Sequence, residues 1–376
     1  MNSSYNRYNP AHGFTLIELM VSIVIASILM LGVMQVFYAN QQASEVGSSL
    51  ARLQENIRFA LRDVSNAGRM AGYKGCSNNI KNHLDTTDPG YDDDLFDFDN
   101  ATGGWEFSNG SSTSVTEPGS SYTLTTVTPA SDGTKWDDAD GDDLPATLVN
   151  RALPGSDVLV LKWAGSNTGL SVNNMKVNSA QINVGDNNIG QGALLVISDC
   201  SGGDAFQTFP APSGKALTRA SGGSGKSPGN ANPGKNNWSH AYSEAAELLF
   251  FISRAYFVGQ GASGEPSLFR ATYSQGAGAP VIEELAEGVE NMQVLYGYDD
   301  DGDDYANQFV TVQDLPGHAD VVALKLAFLA RGTDEVKENA ESKDYDLLGT
   351  TITTPSDSRL RYTFGTTIKL RNKGVK

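Results

Sequence analysis

The sequence predicts an α+β protein in which one long N-terminal helix packs against a large antiparallel β-rich head. Three observations support this prediction. An apolar run without a formally charged side chain extends from Leu19 to Ser44, and an amphipathic stretch follows it directly. The rest of the chain alternates short β-branched and aromatic runs with turns rich in Gly, Ser and Asn. A charged fraction of 19% and 40 glycines fit a loop-rich β head outside the cytoplasm.

The apolar run is long enough to cross a membrane as a helix. At about 1.5 Å per residue, the segment 14–44 exceeds the roughly 30 Å thickness of a bilayer's hydrocarbon core. The run is not a secretory signal, because no small-residue cleavage site follows it. The residues before it form a short polar leader, 1–13, whose only formal charge is Arg7.

The second half of the helix is predicted over 45–67. Its apolar residues recur every three or four positions, as expected for one buried stripe. These residues are Val46, Leu50, Leu53, Ile57, Leu61 and Val64. Gly68 is the predicted stop, which gives a helix of about 80 Å from Phe14 to Ala67. The head then occupies 68–376.

Glu18 is a carboxylate inside the apolar segment. Such a group costs roughly 2.5 to 3.5 kcal/mol at the centre of a membrane helix and less near its end, so it requires a partner. Phe14 lies four residues earlier and therefore on the same helix face.

This N-terminus resembles the type IV pilin family: the leader ends in Gly13, and Phe14-Thr15-Leu16-Ile17-Glu18 opens an apolar helix. The resemblance implies that a prepilin peptidase cuts between Gly13 and Phe14 and that the new amino group of Phe14 is methylated. It also implies that Glu18 of one subunit neutralises the Phe14 cation of a neighbour during filament assembly. Each charge alone would be costly in hydrocarbon, so the pairing is physically reasonable. A single-pass anchor with an isolated Glu is the alternative.

The strand predictions for the head rest on β-branched and aromatic runs. They cover 157–163, 193–198, 248–258, 267–273, 289–298, 321–330 and 360–370. The region near 77–150, with a short strand candidate at 121–128, is predicted to be a largely irregular insert. A second insert near 210–240 is expected to be an exposed loop, because it is rich in Gly, Ser, Asn and Pro.

The head resembles the PilW-type minor pilins in three places. These are the residues next to Cys76 and Cys200, the segment 285–297 and the C-terminal segment 360–372. The resemblance implies a low-abundance minor pilin that helps prime pilus assembly near the tip. The implied partners are the other minor pilins, the major pilin, a PilY-type tip adhesin, the prepilin peptidase and the inner-membrane assembly platform. The head would be periplasmic below a single inner-membrane pass, and later exposed on the pilus.

The uses of such a filament are twitching motility, cell adhesion and DNA uptake, and the sequence does not favour one of them. A minor pseudopilin of a type II secretion system would share the same N-terminus. A third alternative is an adhesive domain that is only anchored by a pilin-like helix.

Cys76 and Cys200 are the only two cysteines. Outside the cytoplasm an isolated pair usually forms a disulfide, which we expect here, with two separate buried thiols as the alternative.

Catalysis and nucleic-acid binding are not indicated. His83, His240 and His318 are far apart and lack metal-ligand spacing, and 222–227 only resembles a phosphate-binding loop, because Ala220 and Pro228 break the required pattern. The net charge of −17 disfavours direct contact with nucleic acid. We therefore expect no enzyme and no bound cofactor, with calcium as the one candidate ligand.

Calcium is suggested by two acidic clusters, 137–143 and 299–304, because closely spaced Asp residues around a Gly turn can converge oxygen ligands. Neither cluster fits the EF-hand frame. Asp299, Asp301 and Asp303 are the favoured calcium candidates because they follow a strand directly. A solvated acidic turn without metal is the alternative.

Overall fold

The computed structural model describes residues 13–77, 79–108, 120–125, 127–209, 214–221, 227–231, 238–274, 280–316 and 320–372. The predicted α+β class is confirmed, with one long helix and a β-rich head. The helices are α1 Leu16–Met70 and α2 Asp93–Phe96. The strands are β1 Ile80–Asn82, β2 Thr102–Phe107, β3 Ser121–Thr123, β4 Trp136–Asp137, β5 Val158–Asn167, β6 Asn174–Met175, β7 Gln181–Asn183, β8 Leu194–Asp199, β9 Gly202–Gln207, β10 Ala216–Thr218, β11 Glu247–Gln260, β12 Pro266–Tyr273, β13 Val281–Glu287, β14 Val289–Asp299, β15 Gln308–Val310, β16 Asp320–Glu335, β17 Asp344–Leu347, β18 Thr350–Thr353 and β19 Arg359–Lys369.

Helix α1 ends three residues later than predicted. Its 55 residues give a length of about 82 Å. Gly68 does not stop the helix; a Cβ on Gly68 would lie only 2.8 Å from Ile368 Cγ2, so this glycine permits close contact with β19. The chain turns instead at Gly72, whose φ of +77° favours glycine. The helix also begins at Leu16 rather than Phe14, because Thr15 is its N-cap.

The second half of α1 packs on the head through the predicted apolar stripe. Leu53, Ile57 and Val64 are buried in the main hydrophobic core. Asp63 on the same half accepts hydrogen bonds from Arg270 Nη1 at 2.8 Å and from the Tyr256 hydroxyl at 2.9 Å. The helix is therefore fixed to the head by both apolar and polar contacts.

Two larger sheets form the centre of the head. One has the order β1-β9-β8-β11-β5-β2-β4, with β12 paired to β11 and β13 to β12; the other has the order β15-β14-β16-β19. Two smaller sheets have the orders β10-β7-β6 and β17-β18-β3. Pairing is antiparallel except between β1 and β9 and between β3 and β18. Helix α1 contacts β5 and β13 in the first sheet and β16 and β19 in the second.

A polar seam joins the two larger sheets. The Asn291 and Gln293 side-chain amides both donate to the Gly155 carbonyl. The N–H of Val294 donates to Asp157 Oδ2 at 2.8 Å, and the Tyr296 hydroxyl donates to the Gly103 carbonyl at 2.9 Å. Because these groups are buried, each hydrogen bond satisfies a polar atom that would otherwise be costly.

Asp157 in this seam should make stability depend on pH. Burial raises the pKa of Asp157 to about 7, although hydrogen bonds from the Val294 and Phe107 N–H groups oppose the shift. A carboxyl whose pKa is raised on folding stabilises the fold below its unfolded pKa, and this contribution is lost as pH rises through about 7. We predict that Asp157→Asn removes a few kcal/mol of this pH dependence. Urea unfolding of the detergent-solubilised chain between pH 4 and 8 measures the free energy of unfolding at each pH, with the exposed Asp300→Asn variant as the control. If this free energy changes with pH equally in Asp157→Asn and in wild type, the prediction is wrong.

The region 77–150 was predicted to be a largely irregular insert with short strands, and its described residues contain the short strands β1 to β4 and the short helix α2. Strands β2 and β4 join the large sheet, and the side chains of Phe96, Trp105 and Trp136 are fully buried. The apolar residues here are separated by Asp and Gly, so they show neither a helical nor a strand period. Among the described residues of the strand predicted at 121–128, the first three form β3.

The second predicted insert, 210–240, is described only in part, at 214–221, 227–231 and 238–240. Some of its described residues are buried, which contradicts the prediction of an exposed loop. Asn230 is fully buried, and the buried Trp238 donates its indole N–H to the Ser179 carbonyl at 2.6 Å. Asn230 also donates from Nδ2 to the Gln207 carbonyl at 2.7 Å, so both residues contact the head.

Candidate functional site

The first turn of α1 is closed by a capping box. Thr15 Oγ1 accepts the Glu18 N–H at 3.4 Å, and Glu18 Oε2 accepts both the Thr15 N–H and the Thr15 hydroxyl at 2.9 Å. Three polar groups that would be exposed to hydrocarbon are therefore satisfied within the chain. The Thr-x-x-Glu spacing of residues 15–18 is the sequence signature of this motif, and our sequence analysis missed it.

Gly13 and Phe14 lie just before this capped turn. Phe14 is 86% exposed, and neither residue belongs to the helix. The predicted cleavage position is therefore in an accessible, non-helical segment, next to a rigid helix start. Glu18 lies one turn above Phe14, where its carboxylate is already hydrogen-bonded to Thr15.

The apolar half of α1 extends away from the head. Its most apolar 18-residue window has no part buried within the described protein. The Ser22 hydroxyl donates to the Glu18 carbonyl at 2.7 Å, and the Ser27 hydroxyl donates to the Ile23 carbonyl, so these polar groups are satisfied along the helix. Lipid, or the apolar helices of other subunits, must cover this surface in a cell.

Two family models match the chain, one near its N-terminus and one in its C-terminal third. The family model for the prokaryotic N-terminal methylation motif matches residues 8–34, which include Gly13, Phe14 and Glu18. The model for the type IV pilus-assembly protein W, PilW, matches residues 255–372, from within β11 to just beyond β19. The chain is therefore similar to PilW in its C-terminal third and carries the methylation motif at its N-terminus. Among the described residues, one helix is long and apolar enough to span a membrane, and it lies near the N-terminus; with the motif, it fits a pilin that is anchored in the inner membrane and later assembled into the pilus.

The pilin-like chain is also similar to a solved structure, the type IV-like pilin TTHA1219 from Thermus thermophilus. The identity is 20%, the match covers 50% of this chain and 87% of the other, and the TM-score is 0.23. No curated protein sequence matches the chain significantly.

The predicted disulfide between Cys76 and Cys200 is present. It joins the turn that follows α1 to the turn between β8 and β9, 124 residues later. Gly75 has a φ of +85°, and a Cβ there would lie 3.0 Å from Ser198 Cβ, so glycine lets the two turns approach each other. The disulfide therefore links the chain just after the C-terminal end of α1 to the large sheet of this pilin-like protein.

His83 and His240, which are far apart in the sequence, join one hydrogen-bonded network in the fold, because Ser239 Oγ lies 2.8 Å from Asp204 Oδ2 and 3.1 Å from His240 Nδ1. Neither histidine is among the described groups that could hold a metal ion. His83 is buried and hydrogen-bonded to Asp204, whereas His240 contacts Asp199 at 2.9 Å. Burial lowers the pKa of His83. Burial alone would raise the pKa of Asp204, but hydrogen bonds from His83, Tyr242 and Ser239 lower it. His318 lies outside the described residues, as does most of the phosphate-loop-like stretch 222–227.

The calcium candidates Asp299, Asp301 and Asp303 converge, with one carboxylate oxygen from each within 4.8 Å of the others. Asp299 Oδ1 accepts the N–H of Gly302 at 2.6 Å, and Asp299 Oδ2 accepts that of Asp304 at 2.8 Å. The geometry allows a divalent cation, yet these hydrogen bonds also support the turn without one. A higher melting temperature in calcium than in chelator, removed by Asp301→Asn, would establish the site; equal melting temperatures would exclude it.

A second acidic group contains Asp93, Asp138 and Asp142. Lys162 is nearly fully buried beside it and donates from Nζ to the Asp93 carbonyl at 2.8 Å. Burial lowers the pKa of Lys162, while Asp94 and its acidic neighbours oppose that shift. This group joins the 137–143 cluster to α2, a contact that the sequence did not predict.

Proposed function

We propose that this pilin-like chain is a minor pilin that a prepilin peptidase processes and that then enters a type IV pilus, where it helps to prime assembly near the tip. The observation that carries the proposal is the N-terminus: an accessible Gly13–Phe14 bond next to an uncovered apolar helix, with Glu18 one turn from the new amino group. The match of 255–372 to PilW favours a pilus over a type II secretion system.

In this proposal the chain is structural rather than catalytic. Its apolar helix half joins the filament core, and Glu18 neutralises the methylated Phe14 amine of an adjacent subunit. The proposed partners are the major pilin, the other minor pilins, a PilY-type tip adhesin and the inner-membrane assembly platform. A pilin-anchored adhesive domain is the competing function: its deletion would remove binding to a surface while leaving pili in normal number.

Gly13 substitutions test the processing step. We predict that Gly13→Ala or Gly13→Leu retains the leader, because a side chain then occupies the position that precedes the cut, and that the retained leader keeps the chain out of filaments. A larger band on a denaturing gel of membrane fractions measures this outcome. Gly47→Ala is the matched control, since a Cβ at this exposed helical glycine meets no atom within 4 Å. Unchanged mobility of the Gly13 variants would contradict the assigned cut.

A further inference from the structure

A cavity of about 820 Å³ opens on the surface of the head beside β11. Its walls come mainly from the loop after β5, the loop between β7 and β8, and the first half of β11. The volume lies within the range of about 300 to 1,000 Å³ that is typical of small-molecule sites in proteins. The cavity is therefore large enough for a ligand of that size.

The floor of the cavity is apolar. Phe250, Leu170 and Ile189 line it, and each is half-buried against a hydrophobic cluster of the head. Residues 249–251 of β11 pair with residues 164–167 of β5, so β5 has an extra residue beside Phe250. Bulges of this kind are common next to functional sites, because they redirect side chains. The floor offers one aromatic ring and two aliphatic side chains to a ligand.

The polar side chains of the cavity have unused hydrogen-bonding capacity. Within the described residues, no hydrogen bond involves the side chains of Asp186, Asn188 or Ser274. Asp186 and Asn188 are exposed, and Ser274 is half-buried. A carboxylate accepts hydrogen bonds, whereas an amide and a hydroxyl both donate and accept them. Together these groups match a ligand that carries several hydroxyl groups.

The two loops of the cavity are held in shape by their own side chains. Asn187 Nδ2 donates to the Gly185 carbonyl at 3.2 Å, and Asn187 Oδ1 accepts the Ile189 N–H at 3.3 Å. The Thr168 hydroxyl donates to the Leu248 carbonyl at 2.9 Å, which ties the loop after β5 to β11. A preformed cavity binds its ligand with a smaller loss of conformational entropy.

The charge of the cavity disfavours anions and offers little to cations. None of the described residues that line it is Lys, Arg or His, and Asp186 is the only acidic one among them. The net charge of −17 adds to the repulsion of anions. A cation would meet one exposed carboxylate, and an exposed ion pair of this kind contributes little binding energy. A neutral ligand therefore fits the lining best.

We propose that this cavity binds a neutral sugar residue of a glycan. One face of a sugar ring consists of C–H groups, which can stack on the Phe250 ring. The sugar hydroxyl groups can donate to the Asp186 carboxylate and can both donate to and accept from the Asn188 amide. This binding role is separate from pilus assembly, so either one can hold without the other.

Binding to oligosaccharides tests the proposal on the full chain. The chain is solubilised in lauryldimethylamine oxide, because a detergent with a sugar headgroup would compete for the cavity. It is then applied to an array of neutral, sialylated, sulfated and glucosamine oligosaccharides. We expect binding to at least one neutral oligosaccharide, and isothermal titration calorimetry with that oligosaccharide gives its Kd.

Variants of the lining show whether the oligosaccharide occupies this cavity. Asp186→Ala and Asn188→Ala should each raise the Kd by about fivefold or more, because each removes hydrogen bonds to the sugar. Phe250→Ala should raise it by about tenfold or more. Gly190→Trp should abolish binding by filling the cavity, since a Cβ on this lining glycine meets no atom within 4 Å. Asp300→Ala removes an exposed carboxylate elsewhere on the head and is the matched control, which should leave the Kd within about twofold.

The Asp186 and Asn188 variants keep the test decisive if Phe250→Ala fails to fold, because the two exposed side chains make no hydrogen bond within the described residues. Equal Kd values for these two variants and wild type would overturn the proposal, since the sugar would then bind elsewhere. No binding to any neutral oligosaccharide would also overturn it. So would stronger binding to sialylated, sulfated or glucosamine oligosaccharides than to neutral ones.

Discussion

Glu18→Ala should prevent incorporation into filaments while leaving insertion into the membrane intact. Without the carboxylate, the Phe14 amine of a neighbouring subunit would remain an unpaired charge in hydrocarbon, which costs several kcal/mol. The amount of the variant in sheared filaments, relative to the amount in membranes, measures the effect. We expect a loss of incorporation of about tenfold or more.

The capping box makes a sharper design possible. Glu18 also accepts two hydrogen bonds from Thr15, so Glu18→Ala alone cannot separate helix capping from charge pairing. Glu18→Gln keeps a capping-box residue at this position while it removes the charge. Thr15→Val removes the Thr15 hydroxyl from the cap while it keeps the carboxylate. We predict that Glu18→Gln fails to assemble and Thr15→Val assembles; the opposite pattern would show that Glu18 acts only as a cap.

Replacing both cysteines by serine, Cys76→Ser with Cys200→Ser, should destabilise the head by about 4 to 5 kcal/mol in the chain-entropy description of a loop this long. The bond spans 124 residues and fixes the turn after α1 to the large sheet, so its loss frees a large part of the unfolded chain. Urea unfolding of the detergent-solubilised chain measures the change.

The reduced wild-type chain is the matched control, because it lacks the bond but keeps both native side chains. It should unfold at the same urea concentration as the double variant. A difference below about 0.5 kcal/mol between the oxidised wild type and the double variant would contradict the prediction.

Sequence patterns predicted most of the regular structure because its apolar residues are periodic. The strand predicted at 289–298 is observed as Val289–Asp299, and the one predicted at 360–370 as Arg359–Lys369. The strand predicted at 321–330 extends to Glu335, because its polar end continues to pair with β19 at Arg359. Here local composition and tertiary pairing agree, with small differences at the ends.

The parts that the sequence did not predict depend on contacts between distant residues. Trp105 lies between Gly104 and Glu106 and Trp136 between Lys135 and Asp137, so no apolar run predicts their burial, which follows from the pairing of β2 with β4 and β5. The raised pKa of Asp157 likewise depends on burial against β14. At the candidate site, Gly13, Phe14 and Glu18 were identified from the resemblance of the N-terminus to the type IV pilins, whereas the capping box between Thr15 and Glu18 became evident only in the structure.

The central claim is that cleavage after Gly13 exposes an amine on Phe14 that enters a filament with the helix attached. N-terminal mass spectrometry of the protein recovered from sheared filaments tests it most directly. The account predicts a first residue of N-methylated Phe14. A chain that still begins with Met1, and that is found only outside filaments, would contradict it.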